Sequence, residues 1–472
     1  MKLRIYSNHC KAEGEIQELK ELRDLLTFDV PGAKYTKLYR HKQWDGKKRL
    51  FNLVTKTFPV GLVDYVIRNV KMKLDIINMR EYPVIDYNLP NMNIELRDYQ
   101  IKAVQQCLKY KNCIIESATN SGKTAMFACL VKKLREYDTQ ILIVIHREEI
   151  LKQIIEMVGR YTGLKIGFIQ AKDYKLLPIT VGMVATMVNR IGVDDKITEF
   201  YEKANCIIVD EAHHCINKSI TSLLMASNAI WRFGFSGTVP DEDTYNGIMV
   251  RRYLGSVVLK VSNEEMILKE VSAKPIVYIY EMDLRSSLYG VFDDAKLICE
   301  GDTTKKLMQT VYQLSMERGI VHNVGRNDKI LEIIGKNVRK SVLIVVDLLE
   351  HGEIVRNLLI QNNIEGKFIS GSSENRQTAF TDFKLGKLKI LISTNIIDEG
   401  VDISKIDVII MLAGKKSKRQ LLQRVGRGLR RKKGENIVRI YDFIDYGSKY
   451  LMKHSKKRLK IYKEEGFEIN FI

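Results

Sequence analysis

A chain of 472 residues is longer than one ordinary hydrophobic core serves, so two or three domains are expected. Its 45% hydrophobic and 28% charged residues describe a globular protein. No window approaches the roughly 18 consecutive apolar residues of a membrane span, which excludes a membrane helix. A net charge of +19 points to a polyanionic partner, nucleic acid first.

The seven cysteines are scattered, odd in number and without a Cys-x-x-Cys pair. They read as reduced packing residues, with no disulfide framework and no zinc ribbon. The opening "MKLRIYSNHC" lacks the apolar core of a secretion signal, so a cytoplasmic location is expected.

In chain order, residues 1–90 read as a small accessory unit. Its segment "HKQWDGKKRLFN" places Asp45-Gly46 where a tight hairpin turn wants them. On such a hairpin, Trp44 with Lys47, Lys48 and Arg49 would dock on phosphates and stack at a duplex end. The plain alternative is a packed tryptophan beside solvated lysines.

Residues 91–260 alternate apolar strands with helical segments, the pattern of a parallel sheet covered by helices. The strands are "NCIIES", "QILIVIH", "PITVGMVAT", "NCIIVDEA" and "RFGFSGT". Each ends in a polar or small-residue loop, and open α/β sheets bind ligands at that edge.

The first of these loops reads "SATNSGKT", with Ser117 at the position where a phosphate-binding loop usually has glycine. Thr119, Asn120 and Ser121 would line the loop. Gly122 permits close backbone approach, Lys123 supplies charge for the β/γ phosphates, and the Thr124 hydroxyl suits Mg²⁺. Downstream, "CIIVDEAHH" puts Asp210 and Glu211 at a strand end, where one carboxylate holds Mg²⁺ and its neighbour orients an attacking water. The adjacent histidines lack a fourth ligand for zinc. Together the two motifs specify an ATP site.

Residues 261–324 read as a connector with a strand "KPIVYIYEM" and a helical piece around Lys305–Arg318. Residues 325–472 repeat the strand–helix alternation with "SVLIVVD", "GKFISG", "LKILIST", "DVIIMLA" and "NIVRIYDF". Within this part lies "QLLQRVGRGLRR", where Gln423, Arg427 and Arg430 share a helix face at spacings of four and three. Arginines of this kind reach a γ-phosphate from an opposing surface. Gly426 and Gly428 each cost roughly 1 kcal/mol in a helix, so an ordinary surface helix is disfavoured. From Lys415 to Lys433 there are ten Lys or Arg and no acid, and seven more lie between Lys449 and Lys463, the clustering of a binding surface.

The ordered series "LRDYQ", "SATNSGKT", "HREEILKQ", "VATM", "DEAH", "SGT", "ISTNIIDEGVDI" and "QRVGRGLR" resembles the motif set of superfamily 2 helicases across residues 96–431. The resemblance implies an α/β fold of two RecA-like parallel-sheet domains in tandem behind a small N-terminal accessory domain. It implies that Arg97 and Gln100 read adenine. His213 and the Ser236–Thr238 stretch would couple hydrolysis to movement, and Gly400 and Asp402 would touch nucleotide and nucleic acid. Arg147, Thr186 and Thr394 would grip one strand's backbone, and Arg427 and Arg430 would be the finger candidates. The forms of these motifs differ from those of DEAD-box RNA helicases, which favours DNA.

"WDGKKRLFN" and the tail "YDFIDYGSKYLMKHSKKRLKIYKEEGFEI" are similar to phage-type helicases that remodel branched recombination intermediates, which would act in a host cytoplasm. The expectation is an ATP- and Mg²⁺-dependent monomeric motor on forked or junction DNA, not membrane-bound. An RNA helicase, a restriction-complex motor subunit and a nucleotide-gated DNA clamp are the alternatives. Glu211 and the paired arginines argue against the clamp, and no nuclease constellation accompanies the motor.

Overall fold

A computed structural model describes every residue except 172, 301–302, 372, 374–375, 395–405, 413–420, 422–425 and 427–435, and only the backbone of residues 149 and 377. The chain divides into two compact units, Met1–Ala118 with Gly122–Val261, and Thr119–Ser121 with Ser262–Ile472.

The first unit opens with strands β1 (Lys2–Ile5), β2 (His9–Glu13), β3 (Thr27–Asp29), β4 (Lys47–Arg49), β5 (Thr57–Pro59) and β6 (Asp75–Asn78). Four of them form a sheet in the order β5-β2-β1-β6, and β3 pairs with β4 in a separate ribbon. β1 buries Leu3 and Ile5 on one face, the period-2 pattern of a half-covered strand.

Asp45-Gly46 is not the tight hairpin turn expected from sequence. The connection between β3 and β4 holds a short turn of helix at Ala33–Tyr35 and the helix Lys37–Arg40, capped by Thr36. Local capping captures this stretch before the two strands can meet through a two-residue turn. Gly46 keeps the positive φ that the dipeptide signals, +78°, at the entry to β4.

The second sheet of this unit comprises β7 (Asn112–Ser117), β8 (Ile141–Ile145), β9 (Gly167–Ile169), β10 (Tyr174–Lys175), β11 (Ile179–Met183), β12 (Cys206–Asp210), β13 (Trp231–Ser236) and β14 (Val257–Val261). Its order is β10-β9-β11-β8-β12-β13-β7-β14, parallel throughout except for β10 against β9. β8 and β13 are buried at every position, as parallel strands covered on both faces must be. Helices Asp98–Tyr110, Lys123–Arg135 and Glu148–Thr162 belong to the strand–helix alternation that the sequence displays.

The accessory sheet is built into this unit. Its core, with Leu3, Leu22, Phe58 and Val66, includes Ile248 and Met249 from the helix Tyr245–Arg251. Gly61 donates its amide to the Arg252 carbonyl at 2.9 Å, and a Cβ at position 61 would overlap the Arg251 carbonyl oxygen. Further along, Tyr82 packs edge-on against Trp231 with ring centroids 4.8 Å apart and donates to the Ile230 carbonyl at 3.0 Å. Residues 1–90 therefore share their core with the first α/β sheet.

The second unit carries β15 (Lys274–Asp283), β16 (Val342–Val345), β17 (Lys367–Ile369), β18 (Ile390–Ser393), β19 (Val408–Met411), β20 (Ile437–Tyr446) and β21 (Glu468–Phe471), ordered β17-β18-β16-β19-β20-β15-β21. Every described pair is parallel. The expected connector over 261–324 is corrected here. β15 pairs with β20 over ten residues and buries Val277 and Ile279 in the sheet's core, so "KPIVYIYEM" is an integral strand. Its pairing partners lie beyond residue 436, too far along the chain for local pattern to reveal.

Behind β20, the helix Lys449–Glu464 is fixed by buried charges. Arg458 makes a two-pronged contact to Asp442, Nε to Oδ2 at 2.9 Å and Nη2 to Oδ1 at 2.8 Å, and Tyr462 donates to Asp442 at 2.9 Å. Arg326 pairs with Asp445 and lies over the Phe443 ring at 4.1 Å. Part of the basic tail is thus internal, whereas Lys449, Lys456 and Lys463 stay at least partly exposed. Among the described residues no helix is long and apolar enough to cross a membrane.

Candidate nucleotide site and strand-edge motifs

Register brings the first unit's motifs to one edge. Asp210, the last residue of β12, stands opposite Phe235 of β13, and Ser236 of β13 stands opposite Glu116 of β7. The carboxyl ends of β7, β13 and β12 are therefore adjacent, and the phosphate loop, the Asp-Glu pair and the Ser-Gly-Thr stretch follow them.

The loop leaves β7 at Ser117, which is fully buried and is not among the residues with positive φ. A serine in place of glycine carries no backbone penalty there. The left-handed positions fall instead at Asn120, φ +71°, and Gly122, φ +80°. Gly122 caps the helix Lys123–Arg135, so the free amides of that helix start face the loop. Lys123 Nζ lies 3.5 Å from the Ser117 carbonyl oxygen, folded back over the loop. Thr124 is half-buried in the first helical turn.

Arg97 and Gln100 also arrive here. The Arg97 amide donates to Gln100 Oε1 at 2.9 Å, a capping arrangement that starts the helix Asp98–Tyr110. Gln100 is buried with its side-chain amide against Gly122, and Arg97 Nη1 donates to the Tyr99 hydroxyl at 3.2 Å. The expected base-reading residues and the phosphate loop thus form one wall.

Across the edge, the Glu211 amide donates to Asp210 Oδ1 at 3.1 Å, with Glu211 in a left-handed conformation at φ +54°. Burial and the neighbouring Glu211 charge raise Asp210 to about 7, against the pull of Lys123. Burial also disfavours the Glu211 charge, but Lys123 and the His213 hydrogen bond outweigh it and hold this carboxyl low. The two acids are therefore unequal, with Glu211 the ionised partner.

His213 Nδ1 sits 2.8 Å from Ser236 Oγ and 3.2 Å from Glu211 Oε2. The Ser236 hydroxyl donates to the Thr238 carbonyl at 2.9 Å, so the proton of the His213–Ser236 bond belongs to His213 Nδ1. This links the Asp-Glu pair to the Ser-Gly-Thr stretch through one proton. One residue that sequence reasoning passed over, His146, extends the cluster: its ring meets the His214 ring edge-on at 3.9 Å, and His214 stands 4.2 Å from His213. A histidine at the end of the apolar run "LIVIH" was the available signal. Burial, then the His213 and Arg147 charges, push His146 down to about 4, so it is neutral.

Arg147 follows β8 and Thr186 lies in the helix Val184–Arg190 after the neighbouring strand β11. Thr186 is buried, which leaves Arg147 the more accessible of the two. In the second unit Thr394 follows β18, with its amide 3.5 Å from the Ile369 carbonyl. Gly400, Asp402, Gln423, Arg427 and Arg430 lie outside the described residues. Trp44 is half-buried and donates its indole N–H to the Lys47 carbonyl at 2.9 Å, while Lys47, Lys48 and Arg49 are exposed.

The donor set fits a nucleoside triphosphate with a divalent cation. A helix start and Lys123 meet phosphate, while the Asp210 and Glu211 carboxyls meet positive charge.

Comparison with known proteins agrees with this geometry. Residues 93–241 match the model of the type III restriction enzyme res subunit, residues 325–432 the helicase conserved C-terminal domain, and residues 1–77 the N-terminal domain of the DNA helicase UvsW. The chain is 24% identical to the ATP-dependent DNA helicase uvsW of Enterobacteria phage T4, over 98% of this chain and 96% of that protein. It is 23% identical to the DNA 3'-5' translocase XPB2 of Sulfurisphaera tokodaii, over 79% and 85%. The helicase domain of Pyrococcus furiosus Hef superposes with a TM-score of 0.54 at 14% identity, covering 77% of this chain and 98% of that one, a likeness of fold. The three matched models fall one after another along the accessory unit and the two parallel sheets, and the chain is an ATP-dependent helicase-type enzyme similar to the phage DNA helicase UvsW.

Proposed function

We propose that this helicase is a DNA motor that uses ATP hydrolysis to unwind or branch-migrate forked and junction DNA. The observation that carries the motor reading is the meeting of the phosphate loop and the Asp210–Glu211 pair at one strand edge, with Lys123 at the start of the helix that follows the loop. The preference for DNA is supported by what the similar proteins are named for, a DNA helicase and a DNA translocase. The basic exposed face of β4 supports the branched substrate, because it presents three cations beside an indole.

In this reading the amides at the start of the helix Lys123–Arg135, with Lys123, receive the β and γ phosphates, and Gln100 and Arg97 sit where a base would be read. The Thr124 hydroxyl and Asp210 would hold Mg²⁺, which would supply positive charge to the phosphate oxygens. Glu211, kept ionised by Lys123 and His213, accepts a proton from the attacking water or orients it. The His213–Ser236 bond then reports the state of Glu211 to the Ser236–Thr238 stretch. Arg147, Thr186 and Thr394 grip one strand, and Gln423, Arg427 and Arg430, with Gly400 and Asp402, complete the motor as the family's motifs imply.

The deciding experiment is ATP hydrolysis measured with single-stranded DNA, linear duplex, a four-way junction and structured RNA, with Lys123→Ala as the blank. Strongest stimulation by the junction is expected. Strongest stimulation by RNA would overturn the DNA assignment.

A further inference from the structure

A cleft of about 780 Å³ opens between the accessory sheet and the first α/β sheet, within the first unit. Its walls carry Trp44, Lys48 and Arg49 from the accessory side, and Lys218, Thr221 and Arg252 from the α/β side. No residue lining it is an aspartate or a glutamate. In a chain with 57 acidic residues, a wall of this size with none is selective.

Three independent features point to an anion. The helix Lys218–Ala226 begins at the cleft, and its cap residue Asn217 makes no side-chain capping bond, so the first-turn amides keep their positive end of the dipole. Arg252 forms part of the wall with only 8% of its surface exposed. Its guanidinium touches Thr221 Oγ1 and Met249 Sδ, its Nε has no partner, and among the described residues no carboxylate lies within ion-pair reach. A buried cation without a counter-charge is costly unless an anion completes it. Finally, Lys48 and Lys218 are exposed on opposite walls, able to neutralise an anion from both sides.

The walls are held at a fixed spacing. Asn8 Nδ2 donates to the Met225 carbonyl at 2.8 Å, Gly61 binds the Arg252 carbonyl, and Arg68 pairs with Glu242 at 2.5 Å. Arg252 is thus anchored by its own backbone to the accessory sheet.

We infer that this cleft is a second nucleic-acid site, seating backbone phosphates of the substrate at the start of the helix Lys218–Ala226 and beside Arg252, with Trp44 placed to stack on an adjoining base. It rests on the reading of the chain as a nucleic-acid motor, and it adds a contact that does not use Arg147, Thr186 or Thr394. The accessory sheet and the motor sheet would hold one stretch of backbone jointly.

The test uses the full chain and a fluorescent forked DNA, with affinity measured by anisotropy over a series of salt concentrations. Lys218→Glu changes an exposed side chain, so its thermal unfolding should match wild type. The control is Lys196→Glu, an equal charge change on the exposed face of the helix Asp195–Lys203. The expected result is a roughly tenfold weaker affinity for Lys218→Glu, with a salt slope shallower by about one, and near-wild-type binding by the control. Equal binding by Lys218→Glu and wild type would overturn the site, as would equal losses in both variants, since those would reflect net charge alone. Failure of wild type to bind forked DNA would instead defeat the functional reading on which the site rests.

Discussion

A side chain at position 122 would run into the amide nitrogen of Gln100, because Gly122 holds φ +80° with its missing Cβ aimed at that amide. The phosphate loop is therefore shaped by a residue 22 positions upstream as well as by its own glycine. Gly122→Ala adds backbone strain to this overlap, roughly 1–3 kcal/mol in all. We expect ATP turnover to fall more than tenfold. Pairing the change with Gln100→Ala should recover stability only in part, as thermal unfolding of both variants will show.

Lys123 acts on both Asp210 and Glu211, so its removal affects proton distribution as well as phosphate binding. Lys123→Ala should abolish ATP turnover and leave nucleic-acid affinity within about twofold, since no strand-gripping residue depends on it. Loss of both in parallel assays would indicate misfolding.

Removing residues 1–90 should destabilise the first unit. It strips cover from Ile248, Met249 and Trp231, all buried in the intact chain. Exposing two or three such side chains costs about 1.5–3 kcal/mol each. Trp44→Ala is the finer probe, because the indole makes one backbone hydrogen bond and is only half-buried. Junction affinity should drop several-fold while single-strand-stimulated ATP turnover persists. Unchanged junction affinity in a competition assay would remove Trp44 from the docking surface.

Arg458→Met leaves Asp442 buried with Tyr462 as its remaining side-chain partner, an uncompensated charge worth about 3–5 kcal/mol. Urea unfolding should show the second unit losing most of its stability. The double variant Arg458→Met with Asp442→Leu should recover much of it, since an apolar pair of similar volume suits that site.

Burial, then the Arg326 and His322 charges, push His351 from its ordinary 6.5 down to about 3. Its Nε2 faces Asn327 Oδ1 at 3.4 Å. The unfolded chain protonates this ring below its ordinary value while the folded chain does not. Its contribution is therefore complete above pH 6.5 and shrinks as the pH falls towards 3. At pH 5 the loss is about 2 kcal/mol. His351→Gln should flatten the difference in urea midpoint between neutral and mildly acidic buffer. An unchanged difference would assign the effect to other groups.

The strands of the first sheet and the order of its motifs are legible in the chain alone. β8 and β12 announce themselves as continuous apolar runs because parallel strands covered on both faces cannot alternate. Lys123, Asp210 and Glu211 are legible because their loops directly follow such runs. Ser117 could stand in for glycine because the left-handed turns fall three and five residues later, at Asn120 and Gly122. Long-range pairing was decided only in three dimensions. β15 joins the second sheet through partners beyond residue 436, and the accessory sheet borrows Ile248 and Met249 across nearly the whole first unit. The same holds for Gln100 against Gly122, His146 against His214, and Arg252 in the wall of a cleft lined by no aspartate or glutamate. Local periodicity records which face of an element is apolar, but not which distant element covers it, and that choice belongs to packing.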